Sequence, residues 1–136
     1  MTLSARELTV GQEARVDFVV TEADMQAFAA LSGDHNPLHV NDEFARSKGF
    51  VGRVVYGALL VAKVSQLIGM RLPGRDSVWT ALSLDFRKPL YIGEAAQVSG
   101  VVEAVSESGG ILRLKLVLRA GEKLLAKGKA EVVIGQ

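Results

Sequence analysis

After one early strand, hydrophobic residues in the front half of this chain fall at helical and loop-like spacing, and in the back half they alternate. In "ARVDFVV", residues 14–20, Val16, Phe18 and Val20 share one face and predict a strand. Thr21 followed by Asp24 has the spacing of a capping box, which opens a helix running to about Ser32. Within it Met25, Phe28, Ala29 and Leu31 recur at helical spacing, and Gly33 is a natural stop. "NDEFARSKG" predicts a short helix with Asn41 or Asp42 as its N-cap, Glu43 near its positive end and Gly49 closing it. Residues 56–70, "YGALLVAKVSQLIGM", are apolar nearly all round apart from Lys63, Ser65 and Gln66, the pattern of a buried helix.

From there on the period is two. Val78, Thr80, Leu82, Leu84 and Phe86 fall on one face, and Leu112, Leu114, Leu116 and Leu118 oppose Arg113, Lys115 and Arg119. "YIGE" at 91–94 turns into a long strand from about Ala95 to Val105, while "SGG" at 108–110 and "AGEK" at 120–123 are hairpin turns. One-faced strands beside an all-round apolar helix are satisfied together by a curved antiparallel sheet wrapped around that helix. The expected fold is therefore α+β, a single hot-dog domain over residues 1–136.

Composition narrows the function. With 136 residues there is room for one core and not two. Nearly half the residues are hydrophobic and few are aromatic, so Val, Leu, Ile and Ala build the core. A net charge of +1 from interspersed acids and bases gives no electrostatic reason to expect nucleic acid or a membrane surface as partner. The chain has no cysteine, hence no disulfide, thiolate nucleophile or cysteine-ligated metal, and its two histidines offer little for zinc. "MTLSARELTVGQ" lacks a basic segment followed by an apolar one, and no apolar run reaches the ~20 residues that span a bilayer, so a cytoplasmic chain is expected.

Candidate chemistry is concentrated in "GDHNPLH", residues 33–39. Taken alone this is a good turn, because Asp and Asn bond their own backbone and Pro fixes φ. The longer stretch "FAALSGDHNPLHVNDEFA", Phe28 to Ala45, resembles the signature of the MaoC-like, (R)-specific enoyl-CoA hydratases, and every specified position of that pattern is filled. The resemblance continues through the apolar helix and "DFRKPLYIGE". It implies a hot-dog fold, usually dimeric, acting on an acyl thioester with no metal or redox cofactor. Carried over by position, Asp34 and His39 are the catalytic pair and Asn36 supports the loop. Gly57 is a backbone oxyanion donor, Tyr56 forms the wall beside it, and Ser65 is a polar partner near the carboxylate. One departure stands out: Tyr56-Gly57-Ala58 occupies the place of His-Gly-Met in many members.

Those residue types suit the reaction. Adding water across an α,β-unsaturated thioester needs one group to take a proton from water, another to deliver one to Cα, and donors for the enolate-like oxygen. Histidine is the side-chain type suited to exchanging protons near neutral pH, so His39 is assigned as the water-activating base, with Asp34 on the acid side; the reverse assignment is also chemically admissible. Gly57 opens a helix, where free N–H groups favour a developing negative oxygen and the missing side chain lets a thioester approach. Ser65 is balanced between a site role and bonding the carbonyl four residues back. His35 is a loop residue, Asp42 and Glu43 are caps, and Arg71, Arg75, Arg87 and Lys88 carry no assignment. A substrate carried on coenzyme A or on a carrier protein fits equally. A hot-dog thioesterase and a non-catalytic thioester-binding module are the alternatives, the latter disfavoured by the presence of both Asp34 and His39. A single curved sheet with regular apolar strands leaves an edge to pair, so a homodimer is expected.

Overall fold

A computed structural model describes residues 8–135; the N-terminal segment read above as lacking a leader falls mainly outside them. The elements run β1 (Glu13–Val19), α1 (Glu22–Ser32), α2 (Pro37–Val40), α3 (Asp42–Ser47), α4 (Gly57–Met70), β2 (Ser77–Phe86), β3 (Ala95–Val105), β4 (Ile111–Ala120) and β5 (Lys123–Ile134). The strands form one antiparallel sheet in the order β1-β3-β4-β5-β2. Helix α4 touches β1 and β2 at the two edges of the sheet as well as β3. Only a sheet that curls around the helix can make those contacts, so the architecture is the hot dog that the alternation predicted.

The sheet's inner face is built as the period-two pattern requires. Leu112, Leu114, Leu116 and Leu118 are all fully buried, with Val98 and Val102 of β3 and Val132 of β5 alongside, while Leu59, Leu60, Val64, Leu67 and Ile68 of α4 come down on them. Gly100 makes room for the helix, because a Cβ there would stand 2.8 Å from Leu67 Cδ2. Thr21 and Asp24 form the expected capping box, and Gly33 closes α1 in the left-handed conformation at φ 74°.

Three expectations need correction. The face predicted for Val78, Thr80, Leu82, Leu84 and Phe86 is broken by a register shift between Trp79 and Ala81. The extra residue reverses the alternation, so Val78 and Thr80 point outward while Trp79 leans on the core with Leu82 and Leu84; Phe86, 53% exposed, sits at the strand's end. In α1 the buried line is Met25 and Ala29 with Phe28 beside it, and Leu31 is 86% exposed because it lies on the helix's far side. Helix α4 is buried on one side only, leaving Ala58, Ala62, Ser65, Gln66 and Met70 exposed in the single chain. Among the described residues no helix is long and apolar enough to cross a membrane.

Candidate active site

Between α1 and α4 the backbone is organised by its own side chains. Ser32 Oγ accepts from the Asp34 amide at 3.1 Å, Asp34 Oδ1 accepts from the Asn36 amide at 3.0 Å, and Asn36 Oδ1 accepts from the Leu38 amide at 2.9 Å. Each polar residue thus fixes the amide two positions on. Asn36 is also the N-cap of α2, with Pro37 at the first helical position, where its missing N–H costs no hydrogen bond. The sequence stretch read as a turn therefore ends in a four-residue helix that carries His39 in its last turn. Asn41 then caps α3, accepting from the Phe44 amide at 2.9 Å.

His39 is held from two sides. Its Nδ1 lies 2.6 Å from the Val54 carbonyl oxygen. A carbonyl only accepts, so Nδ1 carries the proton and the lone pair of the neutral ring is on Nε2. The Val54 amide returns a bond of 3.1 Å to the Leu38 carbonyl, and the Val55 amide bonds the Leu90 carbonyl at 2.9 Å. The segment before α4 is thereby laid between the histidine helix and the chain that follows β2.

Tyr56 joins the two candidate residues. Its ring stacks on His39, with centroids 4.1 Å apart and planes inclined by 28°, and packs against Phe28 at 4.7 Å. Its hydroxyl donates to the Asp34 backbone carbonyl at 2.6 Å. Burial pushes this hydroxyl above its ordinary pKa and the Asp34 charge adds to the effect, so it remains a donor at neutral pH. Tyr56 is buried at 2% exposure, whereas Asp34 is exposed and His39 half-buried. Arg53 clamps the surroundings from outside. Its guanidinium pairs with Glu22 of α1 and lies 3.7 Å from Asp42 of α3, while its amide donates to Asp42 at 3.0 Å.

Gly57 begins α4 as expected, and its amide has no intrahelical acceptor. The Phe86 ring lies directly over it: a Cβ on Gly57 would stand 3.1 Å from the ring. Below them is a cavity of about 260 Å³, lined by His39, Gly57, Leu60, Phe86 and Leu90, with Arg87 and Lys88 also on its wall. Asp34 does not line it and is linked to it through Tyr56. A larger, open hollow of about 580 Å³ lies against Asp17, Phe18, Ala96 and Arg119 and holds none of these groups. The structure thus brings Asp34, Asn36, His39, Tyr56 and Gly57 into one region. Ser65 is different: it is exposed on the outer side of α4, and among the described residues no hydrogen bond joins it to Asp34. The Val54 carbonyl and the Phe86 ring were not singled out from sequence. The first is a backbone group with no side-chain signal, and the second was placed among core-facing positions.

A protein-family comparison matches the MaoC-like domain over residues 5–116. An (R)-specific enoyl-CoA hydratase of Aeromonas caviae is 37% identical over 131 residues, covering 96% of this chain and 98% of its own length. A mitochondrial 3-hydroxyacyl-[acyl-carrier-protein] dehydratase of Arabidopsis thaliana is 38% identical over 99 residues, 73% of this chain and 57% of its own. The solved structure of the A. caviae (R)-hydratase superposes with a TM-score of 0.90 at 36% identity, covering 95% of this chain and 98% of the other. Hydratases and dehydratases of this kind are hydro-lyases.

Proposed function

The chain belongs to the MaoC-like family, and on that premise we propose that it is an (R)-specific enoyl-CoA hydratase. It adds water reversibly to trans-2-enoyl thioesters, giving (R)-3-hydroxyacyl thioesters, with Asp34 and His39 as its acid–base pair. The observation that carries this reading is the bond from His39 Nδ1 to the Val54 carbonyl. It fixes the tautomer, so that Nε2 offers its lone pair to a water while the ring, stacked on Tyr56, cannot swing away.

The reaction then balances with the groups present. His39 Nε2 takes a proton from water, the water oxygen bonds to Cβ, and the π electrons move to Cα and the thioester carbonyl. The Gly57 amide stabilises the oxygen that gains charge, aided by the positive end of α4. Asp34, whose Oδ1 is held by the Asn36 amide, passes to Cα a proton taken up from water, and the proton left on His39 returns to water, which restores the pair. In the dehydration direction the same steps run backwards. A fixed loop that brings both groups to one face of the bound double bond would yield a single enantiomer. A homodimer belongs to this proposal, supported by the exposed Ala58, Ala62, Ser65 and Met70 side of α4 and by the sheet edges at β1 and β2.

Crotonyl-CoA tests it. Loss of the conjugated double bond without release of free thiol, giving only (R)-3-hydroxybutyryl-CoA on chiral analysis, is the expected result. Thiol release would make the chain a thioesterase, and a racemic or (S) product would remove the one-face geometry. The carrier-protein dehydratase relative favours a second substrate, the same acyl group on a carrier protein, which the same assay compares directly.

A further inference from the structure

The cavity beside Gly57 has a feature that catalysis does not use. Its wall is apolar through Phe50, Val54, Val55, Leu60, Phe86 and Leu90, yet Arg87 and Lys88 stand on it side by side and exposed. Among the described residues neither side chain has an ion-pair or hydrogen-bond partner. Of the acids nearby, Glu22 and Asp42 pair with Arg53 and Glu94 with Lys123 and the Tyr91 amide, while Asp85, two residues before Arg87 on β2, forms an ion pair with neither cation. The backbone that carries the two cations is nevertheless fixed. Both amides point to the Leu125 carbonyl, at 2.8 and 3.4 Å, Pro89 follows, and the Leu90 carbonyl holds the Val55 amide at 2.9 Å. The same run of chain places the Phe86 ring over Gly57. Two positive charges without an ion-pair partner are therefore carried, on a hydrogen-bonded backbone, at the wall of the hollow that contains Gly57 and His39.

We propose that Arg87 and Lys88 form an anchor for the phosphate end of the thioester carrier, so that binding reads the carrier's charge as well as the acyl group. This rests on the thioester reading above and names the part of the substrate that the acid–base pair does not touch. The ligand chemistry is a pantetheine thioester bearing phosphate. Its source is either the nucleotide of coenzyme A or the single phosphate of a phosphopantetheine arm. Arginine offers a planar fork of donors and lysine a compact charge, both suited to phosphate oxygens. Exposed cations with no partner carry no cost of desolvation before the ligand arrives.

Binding of unreactive saturated thioesters tests the anchor apart from turnover. Calorimetry would compare butyryl-CoA, butyryl-4′-phosphopantetheine and butyryl-pantetheine on the full chain and on the double variant Arg87→Gln/Lys88→Gln. For butyryl-CoA the variant should bind about tenfold more weakly, and the parent's affinity should fall as salt is raised. For butyryl-pantetheine parent and variant should agree. A matching loss with butyryl-4′-phosphopantetheine assigns the anchor to the phosphate shared by both carriers, and a loss confined to butyryl-CoA assigns it to the nucleotide. Equal losses on all three ligands, or none on butyryl-CoA, overturn the proposal. Failure of the protein to hydrate crotonyl-CoA would sink the catalytic reading and leave this measurement standing.

Discussion

Strand β4 and the loop that ends in α2 are ordered by opposite means. In β4 the four leucines at 112, 114, 116 and 118 have no exposure, and order comes from burial beneath α4. From Leu31 to Pro37 every residue is exposed, and order comes from three short bonds that Ser32, Asp34 and Asn36 make to nearby amides. Burial would have withdrawn Asp34 from water, whereas local capping holds it while leaving its second oxygen accessible. Stability therefore resides largely in one region and the proposed proton chemistry in the other, and substitutions should separate them.

The largest effect is expected in the sheet. Leu116 is fully buried and is paired with Gly100 on one neighbouring strand and Gly128 on the other, neither of which carries a side chain beside it. Leu116→Ala should cost at least about 3 kcal/mol, towards the upper part of the range for buried leucines, because two glycines cannot collapse into the gap. Thermal unfolding should shift by about 10 °C or more, while kcat of the folded fraction stays near that of the parent. A large fall in kcat at temperatures where the variant is fully folded would show that the two regions are coupled.

In the loop the balance should invert. Asp34→Asn keeps an oxygen for the Asn36 amide and so keeps the turn, but removes the carboxylate proposed to exchange a proton. Turnover of crotonyl-CoA should drop by at least ~10²-fold with the melting temperature nearly unchanged. His39→Gln should behave alike, and the double variant should lose much less than the product of the two losses, as groups acting together do. A kcat for Asp34→Asn within a few-fold of the parent would return the stretch to the status of a turn.

The same contrast explains what could be read from sequence. Burial over a regular surface leaves a period, so the alternation in β4 and the extent of β3 were legible, as were the Thr21–Asp24 box and the Gly33 stop. A bulge leaves none: nothing in "SVWTALSLDF" marks the step at which Val78 and Thr80 change face. Helix α4 reads as apolar all round, yet its Ala58 and Ala62 side is uncovered in the single chain, because hydropathy does not say which neighbour covers a face. In the candidate site, Asp34 and His39 stood out through their spacing. The group that fixes the histidine tautomer was not, since the Val54 carbonyl would be present whatever residue stood there. Tyr56 was visible as a departure from the usual histidine, but its links to both Asp34 and His39 depend on the fold.

Tyr56 spans the two regions, buried like the sheet and bonded like the loop. Tyr56→Phe retains the stacking on His39 and removes only the bond to the Asp34 carbonyl. Because that carbonyl belongs to an exposed residue and can turn to water, the stability cost should fall at or below about 1 kcal/mol. A loosened Asp34 should lower kcat by roughly tenfold or less with KM little changed, a smaller loss than removing the carboxylate itself. If kcat is untouched, the Asn36 bond alone suffices to place Asp34.

The smallest effect concerns acid. Arg53 beside Glu22 holds that carboxyl below its ordinary value of 4.5, a pull that outweighs the slight opposing effect of burial. Burial pushes Glu94 up, but Lys123 and the Tyr91 amide together outweigh it and leave Glu94 lowered as well. A carboxyl whose folded value is depressed contributes stability that is fully present above its unfolded value and is lost as pH falls through the folded one. Both pairs should therefore support the fold at neutral pH, and chemical denaturation should show stability declining below about pH 4.5. Glu22→Gln removes one of the two contributions while leaving a hydrogen-bond acceptor for Arg53. The variant should be slightly less stable at pH 7 and should lose stability less steeply in acid, so that the two curves converge as pH falls. Since Glu22 is half exposed, the difference at pH 7 should be small and should shrink with added salt. Parallel curves for parent and variant throughout would mean that the Arg53 clamp on α1 contributes geometry to the site and no measurable charge-dependent stability.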